Sequence, residues 1–255
     1  MLTDKKKVDY DPHARRIPFL DGFRGYAIIM VVATHAMAYA NLDPSVVRIM
    51  SFWVQAVAVP PFFLADGFLF VQSIQKNHHL LYAAYCIRSA RRLLLPWICF
   101  SLLYLILRAG FELVGHPPIT FVLGHNFGEI LGAVYYSSIS AQLYFLPALF
   151  IIRLVSFATR YLILLPSAGL IVFWLAYVYL WQAMPIGDGT SDRIDPVLNA
   201  AWGMQYYLLG MLLSIHKAKV GRRPFLSAAV CLICLLVVKI GAPAWVVLAQ
   251  YAYLC

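Results

Sequence analysis

The stretch Pro18-Phe-Leu-Asp-Gly-Phe-Arg-Gly-Tyr-Ala-Ile-Ile-Met-Val-Val-Ala-Thr-His-Ala36 decides how the rest of the chain is read. It opens in polar sequence and becomes an apolar run, with an arginine at its mouth and a histidine deep inside. Asp21 suits an N-cap, which puts Arg24 in the first turn and Gly25 where a neighbouring backbone can come close. Arg24 and His35 are 11 positions apart. A helix therefore sets them on one face, about 16 Å apart along its axis. An ionisable residue inside a membrane span marks a functional site by default, because without a partner it is strongly disfavoured there. The plainer reading makes Arg24 a positive-inside anchor and His35 a hydrogen-bonded packing residue. On these residues alone both readings stand.

Working outward, hydrophobic residues make up 62% of the chain and charged residues 12%. That balance excludes an ordinary soluble domain and gives a polytopic, all-α membrane bundle. The 255 residues have room for about seven spans plus an incomplete eighth. The net charge of +9 does not indicate nucleic acid, because 16 of the 20 Lys and Arg fall in segments placed inside. Alternating the spans puts the N-terminus in the cytoplasm, as the positive-inside rule requires. Cys231 and Cys234 form a C-x-x-C within an apolar helix and read as packing residues,. No metal site and no disulfide framework is expected.

Residues 1–17 are polar and read as a cytoplasmic tail, with one membrane domain over 18–255. Ala38-Tyr-Ala40 resembles a signal-peptide cleavage site, but the polar lead is long, so 23–42 is taken as a retained first span. The second span, 50–74, is expected to kink or locally break at Pro60-Pro61 and carries Asp66 in its apolar second half,. Residues 75–92 are basic. The third span then runs from Leu93 to Leu107 with Pro96 in its first turn,. Arg88, Arg91 and Arg92 are spaced to face one ligand together. Residues 109–139 are broken by Gly124, His125, Asn126 and Glu129 and read as an interfacial or re-entrant helix,. Further spans are expected at 140–157, 161–183, 197–215 and 225–240, with an acidic external loop at 184–196.

The opening stretch resembles the first-span signature of the membrane acyltransferase-3 family, polytopic acyltransferases that include sugar O-acetyltransferases. The matching residues are Leu20, Asp21, Gly22, Arg24, Gly25 and His35. Arg88-Ser-Ala-Arg91 is similar to that family's Arg-x-x-Arg motif, and Gln142-Leu-Tyr-Phe-Leu-Pro-Ala-Leu-Phe150 to another of its segments. Phe62-Phe-Leu-Ala-Asp-Gly-Phe68 departs from the family's Phe-Phe-x-x-Ser-Gly-Phe pattern, with Asp66 at the serine position. Relatives have around ten spans, so the chain is expected to lack its last ones.

The resemblance implies a catalytic His35, with Arg24, Arg88, Arg91 and Arg92 handling an acyl-CoA donor. The residues fit that assignment. Guanidinium groups grip phosphate oxygens in pairs, and a base about 16 Å deeper suits the long pantetheine arm. Anionic lipid headgroups are the plainer ligand for the same arginines. The expected function is transfer of an acyl group, foremost acetyl from acetyl-CoA, to a hydroxyl of a sugar or surface glycan. No permanently bound cofactor is implied, and the resemblance places the protein in a bacterial inner membrane. A transporter or flippase with an intramembrane His/Asp proton relay, or an inactive family member, is the alternative. Asp66 is expected beside His35 as its carboxylate partner, with protonation or pairing to an arginine as its other options.

Overall fold

The computed structural model describes residues 18–39, 58–76, 82–115, 126–137, 143–183 and 195–216, together with residues 43 and 139. Among the described residues the chain is all-helical, with no strand. The helices are α1 (Pro18–Tyr39), α2 (Pro60–Lys76), α3 (Tyr82–Leu113), α4 (Phe127–Tyr135), α5 (Phe145–Thr159), α6 (Ser167–Ala183) and α7 (Pro196–Ile215). A short 3-10 turn, Arg160–Leu164, extends α5. The chain divides into two compact units, residues 1–61 and 62–255. α1 lies in the first, and α3 to α7 with nearly all of α2 lie in the second. The span expected at 225–240 and the incomplete eighth fall outside the described residues.

Prolines set several boundaries, and the structure moves them from where the sequence reading put them. At Pro60-Pro61 the chain breaks locally, one of the two outcomes expected there: Ala58 is still helical. A bend at Val59 precedes them and they begin α2, where a missing N–H leaves nothing unsatisfied. α1 likewise starts at Pro18, so Asp21 is an acidic residue of the first turn and not the N-cap. The fifth expected span is cut at its start. Leu165 is extended, at φ −70° and ψ 145°, because the following Pro166 disfavours helical geometry in the residue before it.

α3 differs most from expectation. It begins at Tyr82 and runs for 32 residues, about 48 Å at 1.5 Å per residue. Arg88, Arg91 and Arg92 are therefore continuous with the apolar run in one helix rather than ahead of its start, and Pro96 is in the helix interior. α4 is the short helix read in 109–139. Asn126 and Glu129, taken as helix breakers, form its capping box: Asn126 Oδ1 accepts from Glu129 N at 2.9 Å and Glu129 Oε2 from Asn126 N at 2.9 Å,. Its 9 residues span about 14 Å, too short to cross a bilayer.

α3 and the continuous run Phe145–Leu164 are long and apolar enough to cross a membrane. Ile98, Phe100, Leu103, Ile106 and Phe111 of α3 are exposed. Its buried residues Ser89, Leu93 and Ser101 fall on one stripe. A helix with one narrow packed stripe and apolar residues elsewhere is suited to a lipid surround.

The second unit is built around α7, which has more buried residues than any other described helix. Asp195 caps it, accepting from Val197 N at 2.7 Å and Leu198 N at 3.3 Å, with Pro196 following,. α6 lays Leu170, Trp174 and Val178 along α7. Trp174 Nε1 donates to Gln205 O at 2.8 Å and the Tyr177 hydroxyl to Ala201 O at 2.8 Å. α5 packs on both α7 and α3.

α2 meets α7 backbone to backbone. A Cβ on Gly67 would run into the carbonyl of Tyr207, and one on Gly210 into the carbonyl of Leu64. A Cβ on Gly203 would fall 2.8 Å from the Phe63 ring. Small residues permit this approach, the usual device where membrane helices cross closely. Gly210→Ala is expected to destabilise the protein by about 1–3 kcal/mol or more, because a carbonyl on a packed helix cannot move aside as a side-chain tip can. Gly132→Ala, whose Cβ would meet nothing within 4 Å, is the matched control. Equal thermal unfolding of the two variants in detergent would show that α2 and α7 do not touch in this way.

Candidate functional site

In the first unit, α1 carries Arg24 and His35 on one continuous helix. Eleven positions at 100° each return to within about 20° of the starting direction, so the two backbone positions fall on one face of α1, about 16 Å apart. Arg24 is half-buried. The close backbone approach expected at Gly25 is not seen, since among the described residues a Cβ there meets nothing within 4 Å. The His35 backbone lies within α1, while its side chain is outside the described residues.

In the second unit, Arg88, Arg91 and Arg92 are all exposed on α3. Arg88 Nε donates to Ala84 O, one turn back, at 3.1 Å. The three fall within little more than one helical turn, so their guanidinium groups can reach a common anion. Arg88 and Arg91 lie about 100° or more round the helix from buried Ser89, and Arg92 about 60° from it,.

Asp66 is 5% exposed and is already paired. Arg153 Nε donates to its Oδ2 at 2.9 Å, and Arg153 Nη2 donates to its Oδ1. This is the planar two-bond geometry that a guanidinium and a carboxylate prefer. It joins α2 to α5 across 87 positions of sequence. Pairing with an arginine was one of the options left open for Asp66. The expected pairing with His35 involves a side chain outside the described residues. The sequence reading passed over Arg153, treating it as one more internal positive charge. The signal it offered was a cation nine residues into an apolar helix, which in a membrane span calls for a named partner.

Further polar groups gather round the pair. The Tyr85 and Tyr207 hydroxyls lie against Ser156 and within electrostatic range of Asp66 and Arg153. Ser156 donates to Arg153 O at 2.8 Å, which leaves its oxygen free to accept. Tyr207 is fully buried, and its hydroxyl lies near Ser156 without full hydrogen-bond geometry. Phe70 of α2 sits between the two tyrosines, its ring 6.0 Å from Tyr85 and 5.9 Å from Tyr207. Among the described residues no group of His, Cys, Asp and Glu could hold a metal ion.

Long apolar helices, one of them exposing most of its apolar surface, together with a charge pair buried between helices, describe a helical membrane protein. The chain belongs to the acyltransferase-3 family, since the family model for its acyltransferase domain matches residues 17–255. It is thus a membrane acyltransferase in the general sense. No curated protein and no solved structure matches it.

The ion pair has a measurable signature. Arg153→Leu leaves Asp66 buried without its partner and is expected to cost about 3–5 kcal/mol. Asp66→Leu alone strands the guanidinium and should be similarly damaging. The double variant, apolar on both sides, is expected to recover much of the loss, because it strands no charge. Strictly additive losses in thermal unfolding would mean that the two side chains are not paired.

Proposed function

We propose that the protein is an integral membrane O-acyltransferase that moves an acyl group, foremost acetyl, from acyl-CoA to a hydroxyl of a sugar or surface glycan. The observation that supports this reading is α1, a single helix within the family match whose backbone positions 24 and 35 fall on one face about 16 Å apart,. A coenzyme A thioester has its phosphates at one end and its reactive carbonyl at the end of a thin arm. Arginines at the mouth and a histidine deeper in correspond to those two ends.

In this reading Arg24, Arg88, Arg91 and Arg92 bind the donor's phosphate oxygens, for which the planar guanidinium is better shaped than an ammonium group. His35 is the general base. It takes the proton from the acceptor hydroxyl as that oxygen attacks the thioester carbonyl. The tetrahedral centre then collapses with release of the coenzyme A thiolate, which is protonated as it leaves. An imidazole suits the step because its ordinary pKa lies near the operating pH.

Donor consumption by the purified chain, with and without a glycan acceptor, tests the reading. His35→Ala is expected to lower acyl transfer by at least about 100-fold while membrane insertion and expression stay near wild type. A folded His35→Ala variant that keeps most of the wild-type rate would remove His35 as the base. Replacing Arg88 and Arg91 together by Gln should weaken acyl-CoA binding and leave acceptor affinity alone, with Lys replacements recovering only part. Unchanged acyl-CoA affinity in a direct titration would return these arginines to lipid headgroups.

A further inference from the structure

We infer that Asp66 and Arg153 are positioning residues for donor binding: their ion pair fixes the first turns of α3, the segment that carries Arg88, Arg91 and Arg92. The inference rests on the acyl-CoA reading given above and adds to it two residues that do not touch the donor.

The pair holds α2 and α5 in one mutual orientation, because two parallel N–H···O bonds allow little rotation,. The start of α3 is fastened to those same two helices by its first two tyrosines. Tyr82 donates to Leu154 O of α5 at 3.1 Å, and its ring lies 4.6 Å from Phe157. Tyr85 packs on Phe70 of α2 with its hydroxyl against Ser156 of α5. Leu154, Ser156 and Phe157 are all within four positions of Arg153, and Phe70 is four positions from Asp66. Each of these anchors is thus about one helical turn or less from the ion pair.

Arg88 follows Tyr85 by three positions on the same helix, ahead of Pro96. Helix rise and twist are fixed, so a shift of the first turn carries the arginines with it. When one partner is removed, the other charge is left buried, and α2 and α5 must part or admit water to relieve it. Either response moves the surface on which Tyr82 and Tyr85 rest. A pair that only added stability would change the amount of folded protein and leave the donor KM of the folded fraction alone.

The test uses the purified full chain as wild type, Asp66→Asn, Arg153→Gln and the exchange Asp66→Arg with Arg153→Asp. Two quantities are read: the KM values for acyl-CoA and for acceptor, and the rate of maleimide labelling of Cys86. Cys86 adjoins Tyr85 and is half-buried, and Cys99, among the apolar residues that α3 exposes, is the slow-labelling internal reference,. Each single variant is expected to raise the acyl-CoA KM about tenfold with acceptor KM unchanged. Each should also quicken labelling of Cys86 but not of Cys99, and the exchange should restore both. If the single variants do not fold, Arg153→Lys replaces them, since it keeps the charge and loses the fork. Folded variants with wild-type donor KM and wild-type Cys86 labelling overturn the inference. A wild-type chain that neither binds nor consumes acyl-CoA overturns the functional reading instead, and Cys86 labelling then decides alone whether the pair positions α3.

Discussion

The second unit depends on one constraint: a carboxylate and a guanidinium are buried together between apolar helices. Neither is tolerable there alone, since taking a single charge out of water is strongly unfavourable. Together, with both carboxylate oxygens engaged, they are tolerable only in one geometry. α2 satisfies that geometry and the α7 crossing with adjacent residues. Asp66 faces α5 while Gly67, 100° round the helix, lets the backbone of α7 come into contact,. Ala65, fully buried beside them, completes a tripeptide in which every position is committed. The buried aspartate is thus matched by a cation elsewhere in the chain.

Much of this was legible. Composition and charge distribution give an all-helical membrane chain, and the Leu-Asp-Gly-x-Arg-Gly opening leads to the family that residues 17–255 match. Several misplaced boundaries share one cause: polar and proline residues were read as interruptions where they are starts. Asn126 followed three positions later by Glu129 is a start signal ahead of an apolar run,. Pro18, which begins α1 ahead of Asp21, is another,. Pro96 went the other way, being accommodated inside α3. Neighbouring helices can re-satisfy a carbonyl that a proline frees.

What was not legible is long-range. Asp66 stood out as a carboxylate in an apolar run, but nothing local says which cation it meets 87 positions later. Arg153 lay close to a basic span end, and a charge count treats every such arginine as a headgroup contact. The hydrophobic period of α3 was hidden for a related reason. Only a narrow stripe of that helix is packed, so the arginines and the apolar residues outside it carry no inward face to read.

The extent of α3 bears on what its arginines can do. At about 48 Å it exceeds a hydrocarbon core of about 30 Å by some 18 Å. The residues ahead of Leu93, with all three arginines among them, account for nearly that excess. Guanidinium groups on a flexible loop would lose conformational freedom on binding an anion. On a helix already held by Tyr82 and Tyr85 the backbone part of that ordering is complete beforehand, so an anion bound there would cost less conformational entropy. The ion pair and the arginine row lie toward the same end of α3, because Tyr85 is within electrostatic range of the first and precedes the second. A carboxylate with both oxygens bound to one guanidinium has little freedom to turn toward another partner. It is better suited to hold a helix in place than to exchange a proton, and the helix it helps to hold is the one that presents Arg88, Arg91 and Arg92.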